Sequence, residues 1–221
     1  MEFQEHSARD LEEALKKLEL EGMNALILDL RNNPGGLLDS AVDVSEKFLA
    51  KDKPVVSLKS RNAEQDMEFK SNGKSVLPDY PLVVMVNEGS ASASEIVAGA
   101  IQDNKRGIIL GEKTFGKASV QSVIPMRDGS ALRLTSASYF TPSGKLIRKL
   151  GIMPDVVVAL EEPREVEKGG TEEIFKKVRE KEEGAGQEKL SARKMLEKDN
   201  QLKMAVDLIK AIRVYKQSEK T

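Results

Sequence analysis

The sequence predicts an α/β fold, and three observations carry that reading. Short, continuous apolar runs occur at 25–30, 82–86 and 107–111, the pattern of strands buried on both faces. Helical apolar stripes lie between them, and glycine-rich or asparagine-rich turns punctuate the junctions. Strand–helix–strand order with buried strands is the α/β signature.

The elements follow in order. Ser7 and Asp10 form a capping-box-like start, and Leu11, Ala14, Leu15 and Leu18 recur at helical spacing until Gly22 stops the helix. The run Ala25–Leu30 predicts a buried strand, and Asn32-Asn33-Pro34-Gly35-Gly36 a turn. Residues 37–49 read as a helix with Leu38, Val42, Ser45 and Leu49 on one stripe. Val55–Lys59 predicts a strand, and 60–79 a loop or irregular hairpin. Leu82–Val86 is a buried strand, Asn87-Glu88-Gly89 a turn, and Ser94–Asn104 a helix with Ile96, Val97, Ala100 and Ile101 inward. Gly107–Gly111 is the next strand. Two alternating segments, 120–124 and 132–136, flank Asp128-Gly129 and predict a hairpin.

Beyond Leu160 the composition turns to Glu, Lys, Arg and Gly. The predicted organisation is a core over 1–160, a charged linker and helix over 161–200, and an amphipathic helix within 201–221. The charged helix is placed at Glu172–Glu183, with a break at Gly184-Ala185-Gly186. The last helix, Gln201–Tyr215, carries Leu202, Ala205, Val206, Ile209 and Ile212 on one face and packs on the core or on a partner.

Composition narrows the chemistry. A net charge of −1, 4% aromatic residues and no Trp argue against nucleic acid as a partner. The chain has no Cys and one His, His6, so thiolate chemistry is excluded, a zinc site is disfavoured, and no cofactor is expected. His6 is read as a surface residue. The first residues, Met1-Glu2-Phe3-Gln4-Glu5, lack the basic and apolar segments of a signal peptide, and the chain reads as one entered partway through a larger protein.

With imidazole and thiolate set aside, covalent catalysis falls to a hydroxyl with a base such as lysine. Ser90-Ala91-Ser92-Ala93-Ser94-Glu95 sits where a buried strand meets a helix, and free N–H groups at such a junction favour developing negative charge. Small neighbours let a carbonyl approach. The residue pattern does not choose among Ser90, Ser92 and Ser94, and Ser92 with Glu95 equally fits a helix cap. Lys117 is the candidate base. A lysine acts so only when burial or nearby positive charge lowers its pKa, and Gly116, Ala118 and Val120 offer a small apolar setting. Gln121 shares its strand face with 117 and is placed to hold the lysine rotamer. The ordinary alternative is a solvated surface lysine. Gly111–Ala118 also spells all but the last residue of a phosphate-binding loop, but the stretch after it reads as strand instead of helix. The 32–36 turn, following a strand and preceding a helix, can present backbone N–H groups to a ligand or serve as an ordinary connection.

Together, Leu28–Gly36, Asn87–Ile96, Gly111–Gln121, Tyr139–Gly144 and Gly151–Asp155 resemble the carboxyl-terminal processing peptidases, also called tail-specific proteases. The resemblance runs from about Phe3 to Val158 and implies a spiral ββα core similar to the Clp protease and crotonase folds. It implies Ser92 as nucleophile, Lys117 as general base and Gln121 as its orienting partner. It further implies an oxyanion site made by the N–H groups of Ala93 and Gly36. The implied reaction is cleavage of proteins near their C-termini through an acyl-enzyme. The implied partners are substrate tails and an upstream PDZ domain, with homo-oligomers open, and the implied location of the parent protein is extracytoplasmic, in the periplasm or anchored to a membrane. The rival reading is a non-catalytic peptide-binding or assembly module; a nucleotide-binding domain is the third.

Overall fold

The computed structural model describes residues 2–73, 78–117, 119–161, 195–196 and 198–218. The helix expected at Glu172–Glu183 and the break after it lie outside these residues. Four helices carry the described chain: α1 (Ser7–Leu20), α2 (Leu38–Glu46), α3 (Ala93–Asp103) and α4 (Asn200–Ser218). Strands β1 (Leu26–Asp29), β4 (Leu82–Val86), β5 (Ile108–Gly111) and β8 (Val156–Val157) form a parallel sheet in the order β1-β4-β5-β8. Strands β2 (Pro54–Ser60), β3 (Met67–Lys70), β6 (Ser119–Pro125) and β7 (Ala131–Phe140) form an antiparallel sheet in the order β3-β2-β7-β6. The fold is mixed α/β with a helical C-terminal region, as the sequence predicts.

Strand β4 shows why an unbroken apolar run was needed. Side chains alternate across a strand, so Leu82, Val84 and Val86 enter one core and Val83 and Met85 the other. The first core joins β4 to Ile96, Val97, Ala100 and Ile101 of α3 and to Val55, Val56 and Leu58 of β2. The second is covered by Ala205 and Ile209 of α4, against Val83, Met85 and Leu110. Burial of each of the larger of these side chains contributes about 1.5–3 kcal/mol, so α4 is part of what holds the parallel sheet.

Three local readings need correction. Strand β1 packs against a core on each face but is only half-buried at Leu26, Ile27 and Leu28, because it sits at the sheet edge. The capping box expected at Ser7 does not form, because His6 is the N-cap residue and the Ser7 hydroxyl instead accepts from the Gln4 N–H at 2.9 Å. On α1 the buried face is Ala8 and Leu15, with Leu11 packed beside them, while Ala14 and Leu18 are exposed. The irregular hairpin expected within 60–79 is realised as β3 paired antiparallel with β2. The short strand β8 was not anticipated.

Candidate active site

The parallel sheet delivers the serine cluster. Strand β4 ends at Val86 and α3 begins at Ala93, so Ser90 and Ser92 lie on the strand-to-helix turn and Ser94 in the first turn of the helix. Two of them are committed to the fold. The Ser90 hydroxyl donates to the Leu30 carbonyl at 2.8 Å and accepts from the Asn87 N–H at 3.0 Å. The Ser94 hydroxyl donates to the Asn33 carbonyl at 2.9 Å, and both residues are fully buried. Ser92 alone of the three is partly exposed. Its backbone stands at φ 55°, ψ −114°, the first position of a type II′ turn and one glycine normally fills. Holding a serine there costs about 1–3 kcal/mol. Such a strained strand-to-helix turn lifts a side chain out of the chain's path.

Asn32–Gly36 packs directly on this turn. Asn32 and Asn87 clasp each other: the Asn32 N–H donates to Asn87 Oδ1 at 2.8 Å, and Asn87 Nδ2 donates to Asn32 Oδ1 at 3.0 Å. The Asn33 carbonyl also accepts from the Ala91 N–H at 3.0 Å. Gly35, at φ +99°, lies so close that a Cβ there would fall 2.5 Å from the Ala91 carbonyl oxygen and 2.7 Å from Ser92 Cβ. On its outer edge the turn is strapped by Phe3, which bridges Gly36 in parallel fashion. The Phe3 N–H donates to the Gly35 carbonyl at 2.8 Å, and the Leu37 N–H donates to the Phe3 carbonyl at 2.9 Å. A parallel bridge uses the groups flanking its central residue, so Gly36 keeps its own N–H for the opposite edge. Among the described residues, neither the Gly36 N–H nor the Ala93 N–H has a hydrogen-bond acceptor. Ala93 is the first residue of α3, where N–H groups lack intrahelical partners. An open cavity of about 440 Å³ adjoins the turn, bordered by Phe3, His6, Gly36 and Leu37.

Glu95 ties the serine turn to the segment that carries Lys117. It is fully buried, and its carboxylate accepts four hydrogen bonds. Oε2 accepts from the Ser92 N–H and the Lys117 N–H, each at 2.9 Å. Oε1 accepts from the Thr114 hydroxyl at 2.5 Å and the Gly116 N–H at 2.7 Å. Thr114 Oγ1 in turn accepts from the Ile152 N–H at 2.7 Å. Because one oxygen holds both amides, the backbones of Ser92 and Lys117 lie within about 6 Å of each other. Burial pushes the Glu95 carboxyl above its ordinary value, and the Thr114, Gly116, Ser92 and Lys117 donors pull the other way. The sequence marks Glu95 only as a helix cap; no periodicity signals that residues 19 to 22 positions on converge upon it.

Lys117 lies in the loop between β5 and β6, and its side chain is exposed in this chain. The dry, apolar surround that a lysine base requires is not formed around it here. Gln121 is also exposed, and among the described residues no hydrogen bond joins it to Lys117. The two do not share a strand, because β6 starts at Ser119, and the β6–β7 register shifts between Val120 and Gln121. Since β6 follows the Gly111–Lys117 loop, the helix that a phosphate-binding loop requires is missing there. Among the described residues no cluster of His, Asp and Glu could hold a metal, and no helix is long and apolar enough to cross a membrane.

The chain is similar to known proteins. The chain is 46% identical over 162 residues to a carboxy-terminal-processing protease of Bartonella bacilliformis, covering 72% of this chain and 37% of that protein. It is 45% identical over 157 residues to a carboxyl-terminal-processing protease of Synechocystis, covering 71% of this chain and 36% of that one. Among solved structures, the photosystem II D1 C-terminal processing protease superposes with a TM-score of 0.66 at 38% identity, covering 72% of this chain and 40% of that one. The chain therefore spans little more than a third of the length of these two relatives. Residues 1–158 match the pattern of peptidase family S41, and this chain belongs to that family.

Proposed function

We propose that this chain is the catalytic core of a serine endopeptidase that cleaves proteins near their C-termini. Ser92 attacks the scissile carbonyl, Lys117 accepts its proton and returns it to the leaving amine, and water releases the acyl-enzyme. The N–H groups of Gly36 and Ala93 receive the oxyanion. Gln121 orients the lysine once substrate or a covering domain closes over the loop. The observation that carries this reading is the strained Ser92, partly exposed at a helix entrance, with two amides beside its turn, of Gly36 and Ala93, that have no acceptor among the described residues. The family and the names of its similar members support it. In an active preparation, Ser92→Ala and Lys117→Ala each abolish hydrolysis of an unstructured protein; retained cleavage by either variant removes the assignment.

The exposure of Lys117 favours a second reading for the isolated chain, a peptide-binding module whose dyad is unaligned until an upstream PDZ domain covers it. A fluorophosphonate separates the two: the enzyme is labelled covalently at Ser92, and the binding module is not. We further place the parent protein outside the cytoplasm, which fractionation of cells producing it tests. Homo-oligomers are tested by light scattering.

A further inference from the structure

The C-terminal helix lies beyond the stretch that matches the family, yet it is joined to the catalytic turn. Arg31, the residue before Asn32, is the joint. Its Nη2 donates to Asp29 Oδ2 and to Asp199 Oδ2, each at 2.7 Å. Its Nη1 donates to Asp199 Oδ1 at 3.1 Å and Gln201 Oε1 at 3.0 Å, and its Nε donates to Asp29 Oδ1 at 2.9 Å. The Arg31 side chain is 14% exposed and that of Asp199 24%, so solvent screens the contact between them little. Asp199 does two jobs: Oδ1 also accepts the Leu202 N–H at 2.9 Å, which caps α4. The helix has other anchors. Gln201, fully buried, donates to the Val158 carbonyl at 2.7 Å, Asn200 donates to the Ala159 carbonyl at 2.8 Å, and Ala205 and Ile209 pack on the sheet. Stability of α4 therefore does not need the Arg31 contact.

We propose that Asp199 is a positioning residue for the peptidase reaction: from the start of α4 it fixes Arg31, and Arg31 fixes the Asn32–Gly36 turn that presents the Gly36 N–H beside Ser92. This inference rests on the peptidase reading above. It makes the C-terminal helix part of the working site, acting through Arg31, 168 residues earlier, on the backbone turn that follows it.

Two variants separate positioning from simple support. Asp199→Asn keeps a good helix cap but sets an amide donor against the guanidinium; Asp199→Glu keeps the charge but caps poorly. The expected result is a double dissociation. Asn leaves the melting temperature near wild type, lowers kcat about tenfold or more with KM little changed, and speeds hydrogen exchange at 32–36 about tenfold. Glu lowers the melting temperature but retains most of kcat and the exchange protection. Activity that follows melting temperature in both variants, or an Asn variant with wild-type kcat and exchange, overturns the proposal. If wild type itself shows no Ser92-dependent hydrolysis, the peptidase reading falls, and the positioning role with it; exchange at 32–36 then still reports whether the clamp exists.

Discussion

Replacing Glu95 by Gln tests how the site is held together. The carboxylate takes four donors, two on each oxygen. An amide has one acceptor oxygen, so one pair must face an NH2 group. The less costly orientation keeps the oxygen on the Ser92 and Lys117 N–H groups. The NH2 then meets Thr114, whose hydroxyl can turn and accept, and Gly116, whose N–H cannot. One buried N–H is left without a partner, a loss of about 1–3 kcal/mol. For a domain of this size that lowers the melting temperature by about 2–12 °C. Glu95→Ala releases all four donors and costs more than the Gln variant. Because Gly116 and Lys117 hang from this carboxylate, a shift of about 1 Å in their loop reduces kcat/KM by about 100-fold. Thermal melts and hydrolysis of a quenched fluorescent peptide read both quantities. An alanine variant that melts and cleaves like wild type would refute the claim that Glu95 organises the site.

Further outcomes follow from the same geometry. Ser92→Gly relieves the positive φ and raises stability by about 1 kcal/mol, while Ser92→Ala does not; urea melts compare them, and equal stability removes the strain argument. Gly35→Ala drives a methyl into the Ala91 carbonyl and Ser92, so it loses both fold stability, by about 1–3 kcal/mol, and fluorophosphonate labelling; a labelled, stable variant contradicts the packing. Lys117→Ala removes an exposed side chain and changes stability by no more than about 0.5 kcal/mol while hydrolysis is lost, as melts and peptide assays will show.

Much of the fold was legible because it is written in local patterns. The run Leu82–Val86 required two buried faces and has them, and Ile96, Val97, Ala100 and Ile101 repeat at helical spacing and face a core. What failed depends on distant partners. Ala25–Leu30 has the same apolar run as β4, but edge or centre is decided by which strand pairs with which. The three serines are equivalent in local pattern; Ser90 and Ser94 are distinguished only by carbonyls of Leu30 and Asn33, about sixty residues earlier. Ser7 and Ser92 both carry cap patterns, yet at Ser7 the chain bends back to Gln4, so His6 takes the cap position. Arg31 and Asp199 carry no signal at all among so many charged residues, because an ion pair across the whole chain has no spacing rule.

The clasp between Asn32 and Asn87 has a consequence for the life history of the protein. The surroundings of Ser92 are drawn from residues 33–36, 95, 114–117 and 152, and these meet only after β1, β4 and β5 have paired. During synthesis, or after partial melting, the hydroxyl sits on a bare strand end with nothing around it. On the proposed peptidase reading, competence to cut peptides arrives with the slowest, most long-range contacts of folding. On that reading an immature copy can be degraded, but it cannot degrade its neighbours.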